Sequence, residues 1–191
     1  MSTTVLPPVY FGPVNWWKTA LTRQNVIFDI NENYVKQTCR NRCSILSANG
    51  MLNLSVPVKK IDGNHTKLKN IRIENQQPWQ RLHSRTIMSA YKASPYYDYV
   101  IDDIKDIWTK KFDFLLDLCV YSIEAVKKVS NVNLDVVFSE EYVKPANNIE
   151  DYRQGCFLED NTTYVQVFSD RFDFVKNLSI LDKIFNNGPE I

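Results

Sequence analysis

Apolar residues in this chain come in short groups whose spacing alternates between the periods of strands and helices. Pro7 and Pro8 confine a first strand to residues 9–11. From Pro13 onward, Trp16, Trp17, Ala20 and Leu21 recur at helical spacing, which predicts a helix to Arg23 with Pro13 in its first turn. Residues 26–30 form a short apolar run, the mark of a buried strand. Strand, helix, strand predicts a βαβ opening and so a parallel pair. Ala48-Asn49-Gly50 separates the runs 44–47 and 51–58, a hairpin signal. Leu52, Leu54, Val56 and Val58 alternate with polar residues, so one face of that second strand packs.

Residues 59–69 are polar and loop-like, followed by a short strand at 71–73. Pro78 suits the start of a helix carrying Trp79, Leu82, Ile87, Ala90 and Tyr91, which stops near Ser94-Pro95. A helical period then persists over residues 98–129 through Ile101, Ile104, Trp108, Phe112, Leu115, Cys119, Ile123 and Val126. That is long for one helix, so a break is expected at 109–111. Strands are predicted at 134–138 and 164–168. Ser179 and Asp182 suit a helix start, and Asn187-Gly188-Pro189 its end. Nothing marks a second domain. The expected fold is α/β: one domain, with a mixed or mainly parallel sheet packed by helices in a Rossmann-like three-layer arrangement.

At 191 residues the chain is long enough to bury a sizeable core. Its 23 Lys and Arg balance 22 Asp and Glu, which argues against nucleic acid as the main ligand. No apolar run approaches the roughly 20 residues of a membrane span. The first eight residues lack the basic start and apolar segment of a signal peptide, so the four cysteines are read as free thiols of a cytoplasmic protein.

Four groups of residues compete as the seat of chemistry. Tyr34, Lys36, Gln37, Arg40, Asn41 and Arg42 interleave cations with amides, a pattern that suits a phosphate or sugar hydroxyls and equally a charged turn. Cys39 and Cys43 lack the partners of a zinc site, and no metal is expected. Lys36 and Arg40 would lower the pKa of Cys39, but a small half-buried cysteine is the commoner case. His83 shares a helix stripe with Ile87, Ala90 and Tyr91, as a packed histidine or as a catalytic base. Gln166 and Asp170 would lie at the carboxyl end of a parallel strand, where α/β ligands bind, or in an ion-paired loop.

The run ENYVKQTCRNRCSILSANGMLNLSVPV resembles the WbqC-like family in its short, Bacteroidetes-type form. PWQRLHSRTIMSAYKASPYYDYV, YVQVFSDRFDFVKNLSILDKIFNNGP and the weaker VYFGPVNWW follow the same pattern, in the family's order. The family takes its name from gene clusters for O-antigen, the outer polysaccharide of Gram-negative bacteria. The resemblance implies a role in making or decorating a surface-polysaccharide sugar, with acyl or aminoacyl transfer to a nucleotide-activated sugar as the leading expectation. The matching polar positions are Tyr34, Lys36, Gln37, Asn41, Arg42, His83, Tyr91, Gln166, Ser179 and Asp182. Wider members carry a histidine in a His-x-Pro-like motif where this chain has Leu6-Pro7-Pro8 and Tyr10. Two alternatives stand beside this reading. One is a nucleotidyltransferase-like enzyme, suggested by the βαβ opening. The other is a non-catalytic partner of polysaccharide enzymes, presenting Tyr96, Tyr97 and Tyr99 as an apolar patch. Cofactor and oligomeric state stay open.

Overall fold

In the computed structural model, which describes residues 2–59, 61–160 and 162–191, the chain opens with strand β1 (Thr3–Leu6). Helix α1 (Val14–Thr22) then carries it across to β2 (Val26–Phe28), parallel to β1 with Thr4 opposite Val26. The expected βαβ opening is therefore formed, but its first strand precedes the two prolines. Residues 9–11 instead make a buried connection, because Phe11 (φ 55°) and Gly12 (φ 38°) turn the backbone out of the extended region. That connection has no strand partner, so other groups satisfy its polar atoms. Ser122 Oγ accepts from the Phe11 N–H at 3.1 Å and donates to the Val9 carbonyl at 2.9 Å. A third parallel strand, β7 (Ile149–Asp151), flanks β1 on its other side, giving the order β2-β1-β7.

The hairpin of β3 (Arg42–Ser47) and β4 (Gly50–Ser55) turns at Ala48-Asn49, with Gly50 at φ 100°. Its pleat sorts the side chains. Cys43, Ile45 and Leu54 are buried, while Arg42, Ser44 and Asn53 stand on the other face. Leu52, expected in the packed face, is exposed. Two residues each of β5 (Val58–Lys59) and β6 (Arg72–Ile73) pair antiparallel around a polar loop with two short 3-10 turns. Lys60 of that loop lies outside the described residues.

Helix α2 (Trp79–Tyr91) buries Trp79, His83, Ile87, Ala90 and Tyr91 at helical spacing, and leaves Leu82 in solvent. The long period divides as expected into α3 (Tyr97–Ile104), a 3-10 turn (Lys105–Trp108) and α4 (Leu115–Ser130). Helix α5 (Ile180–Asn187) begins at Ser179, whose Oγ accepts from the Leu181 N–H. Trp16 and Trp17 of α1 are fully buried, and Trp16 stacks on Phe28 at 5.9 Å. Removing each indole from water stabilises the fold by roughly 4–6 kcal/mol gross.

The strand expected at 134–138 is reduced to one parallel bridge, Phe28 to Phe138. That expected at 164–168 does not form. Its alternation instead serves Gln166, whose amide bonds both the Val175 N–H and the Val175 carbonyl. The protein is thus a mixed α/β chain of five helices, a small parallel sheet and two antiparallel pairs among the described residues. This pairing does not establish the Rossmann-like three-layer arrangement.

Candidate functional site

The turn after β1 delivers the chain to Pro13 and the start of α1, and the start of α5 meets it there. The Ile180 N–H donates to the Gly12 carbonyl at 2.9 Å, and the Ser179 N–H to the Ser44 carbonyl of β3 at 2.7 Å. These bonds bring two helix N-termini and the polar face of the hairpin to one crevice of about 260 Å³. Small-molecule sites are typically roughly 300–1,000 Å³, so this volume suits a sugar or a sugar phosphate. Its walls include Asn15, Gln37, Arg42, Ser44, Asn53 and Ser179, with no carboxylate among its lining residues. The Arg42 side chain has no ion-pair or hydrogen-bond partner among the described residues, and its Nε is buried. Asn15 Oδ1, on the first turn of α1, is likewise buried and unpartnered. An unpaired guanidinium with no acid among the lining residues favours an anion, and the start of α1, which has no acidic residue in its first turn, adds to this, whereas Asp182 offsets the start of α5. Backbone strain gathers here too: Gly12, Gln37 and Asn177 line the crevice with positive φ.

Two of the residues expected to bind ligand, Arg42 and Gln37, line this crevice. The others do not. Arg40 is 1% exposed and pairs with Glu32 Oε1, at 2.7 Å from Nε and 2.6 Å from Nη2, while also donating to the Arg153 carbonyl at 3.0 Å. Asn41 is buried, its Nδ2 held by the Val56 carbonyl at 3.0 Å. Tyr34 is buried, with its phenol pKa pushed up to about 12 by burial. Lys36 and Asp170 are exposed, and the latter's carboxylate lies 3.6 Å from Arg171 Nε. Tyr91 and Gln166 are buried donors to one carboxylate: Tyr91 Oη reaches Asp182 Oδ1 at 2.8 Å and Gln166 Nε2 reaches Oδ2 at 3.0 Å. Tyr164 donates to the same Oδ2 at 2.7 Å.

His83, expected as a catalytic base, lies in the interior, away from the crevice. It is 1% exposed, lies between Tyr10 and Trp79, and borders none of the crevices described here. Trp108 Nε1 donates to Tyr10 Oη at 2.9 Å, and Tyr10 Oη is hydrogen-bonded to His83 Nδ1, 3.1 Å away. Burial drives the His83 pKa down to about 4, against a hydrogen bond with the Ser55 backbone. Neither His83 nor Gln166 shares the crevice that Arg42 lines. Cys39 and Cys43 do line the crevice, but burial pushes their pKa values up to about 11 and 12. Arg40 opposes this at Cys39 without reversing it, so the expected lowering of that thiol pKa does not occur.

Asn15, Ser44 and Asn53 are crevice residues that sequence reasoning missed. The available signal was Gly12-Pro13, which places Asn15 in the first turn of a helix at a βα junction, together with Asn53 and Ser44 opposite one another in the hairpin.

Fold and site together define an α/β protein with an anion-suited crevice at its first βα turn. The sequence model of the WbqC-like protein family matches residues 8–169, and the chain belongs to that family. No curated protein and no solved structure matches it. Among the described residues, no helix is long and apolar enough to cross a membrane.

Proposed function

We propose that this WbqC-like protein binds a phosphorylated or nucleotide-activated sugar in the crevice between the starts of α1 and α5. Arg42 holds the phosphate, while Gln37, Asn15 and Asn53 meet sugar hydroxyls. The observation that carries the reading is the unpaired Arg42 guanidinium in a crevice with no lining carboxylate. Family membership supports a cytoplasmic role in surface-polysaccharide (O-antigen) biosynthesis, with acyl or aminoacyl transfer to the sugar as the reaction class. The lining has no imidazole either, so the crevice contributes binding and orientation rather than acid–base catalysis.

Calorimetric titration of nucleotide sugars into the protein and into Arg42→Ala tests this. Loss of a charge-assisted hydrogen bond of about 1.5–3 kcal/mol weakens binding by about tenfold or more. Equal affinity for the two proteins, or no binding by either, overturns it. A nucleotidyltransferase-like reading draws support from the parallel βαβ opening with a crevice at its first turn. An ATP-dependent rise in the unfolding temperature would favour it. The binding-partner reading is weaker, because Tyr97 is buried and only Tyr96 and Tyr99 reach solvent.

A further inference from the structure

A second crevice of about 360 Å³ lies at the carboxyl ends of the parallel strands, where β7 ends at Asp151 and Asp29 follows β2. Ligands of parallel α/β sheets bind at such ends. The same two chain segments wall both crevices: Val35 and Gln154 face the second, Gln37 and Gly155 the first. Their electrostatics differ. Glu32 and Asp151 balance Lys67 and Arg153 in the second crevice, so it does not select for an anion.

It offers instead an exposed aromatic ring. Tyr142 is 46% exposed, the Arg153 guanidinium lies over its ring at 4.7 Å from the centroid, and the mobile end of Lys67 lies over the ring at 6.0 Å, from where a stacked base would displace it. Arg153 is itself held in place by Asp29 Oδ2 at 2.6 Å and by Asp151 at 2.9 Å from Nε and 2.5 Å from Nη2. A ring backed by an immobilised guanidinium is suited to stack a planar heterocycle. The exposed amides of Asn33 and Gln154 also line this crevice and supply donors and acceptors for its edge.

We infer that the second crevice is the nucleoside subsite, with the base on Tyr142, for a ligand whose phosphate and sugar occupy the Arg42 crevice. This rests on the reading of the Arg42 crevice above and narrows its ligand to nucleotide-activated sugars. The test is calorimetric titration with UDP-, dTDP- and GDP-linked sugars and with the matching sugar 1-phosphates. Wild type should bind at least one nucleotide sugar about tenfold or more tighter than its sugar 1-phosphate. Tyr142→Ala should erase that advantage and leave the sugar 1-phosphate unchanged, whereas Tyr142→Phe should keep it. Gln154→Ala, which removes an exposed lining amide and keeps the ring, should reduce the same advantage and so test the subsite even where loss of the ring disturbs Arg153. Wild-type binding of sugar 1-phosphate as tight as that of every nucleotide sugar overturns the nucleoside subsite and leaves the Arg42 crevice standing. An advantage that survives Tyr142→Ala also overturns it. Absence of binding by every ligand overturns both readings.

Discussion

Arg40 and Arg42 stand two positions apart, and their surroundings give them opposite work. Arg40 and Glu32 are both buried, and burial raises the Glu32 pKa even though Arg40 opposes it. Truncating Arg40 would leave that carboxylate desolvated without its ion-pair partner, which typically costs about 3–5 kcal/mol. Arg42 supports nothing but the crevice wall. We therefore expect Arg40→Ala to lower the urea-unfolding free energy by about 3–5 kcal/mol and Arg42→Ala to change it by less than about 1 kcal/mol. Similar losses in both variants would remove the distinction. The sequence showed two equivalent arginines among amides. What separates them is the position of Glu32, eight residues earlier in the chain, and the pleat that begins at Arg42. Neither is visible in a list of charges. The same holds for Tyr91, Gln166 and Asp182: they are polar enough to suggest a site, yet they satisfy one another in the interior.

At the scale of elements, the connection from β1 to α1 does most to place the crevice. Gly12 has φ 38°, and a Cβ there would meet Val9 Cγ2 at 2.7 Å and Trp17 Nε1 at 3.3 Å. Both neighbours are fully buried or nearly so, leaving little room to move. Gly12→Ala should therefore cost about 1–3 kcal/mol and lower the thermal midpoint, with weaker ligand binding because Pro13 and Asn15 follow directly. An unchanged midpoint would show that the turn relaxes freely. Helices and the hairpin were legible because their signals are local: a 3.6-residue period, a proline at the start, a turn before Gly50. The strands were less so. Residues 9–11 are as apolar as a strand, but they are buried as a loop by contacts from α4. The triplet Ile149-Glu150-Asp151 carries no strand signal of its own and becomes β7 only by pairing with β1. Residues 164–168 alternate correctly yet have no partner strand.

Over the whole molecule, α1, α2 and α4 close one core around the turn at residues 9–11, and His83 titrates within it. Its folded pKa of about 4 lies below the ordinary histidine value of 6.5. Between those values the unfolded chain takes up a proton that the folded chain refuses. The resulting stabilisation is fully present above pH 6.5 and is lost as pH falls towards about 4. At about 1.4 kcal/mol per pKa unit it amounts to about 3 kcal/mol. Glu32 and Asp182 work in the opposite sense. Burial raises both carboxyl pKa values, so the folded chain binds their protons first and gains stability as pH falls through that range. A single acid-unfolding curve would mix the three groups. Comparing wild type with His83→Gln by urea unfolding from pH 7.5 to 4 separates them, since both carboxyls are common to the two proteins. His83→Gln should be less stable at neutral pH, having lost the Tyr10 contact, and should lose less on acidification. The two stability curves should therefore converge below about pH 6.5. Parallel curves would mean that His83 stays accessible to protons in the folded state, which would return it to consideration as a catalytic group.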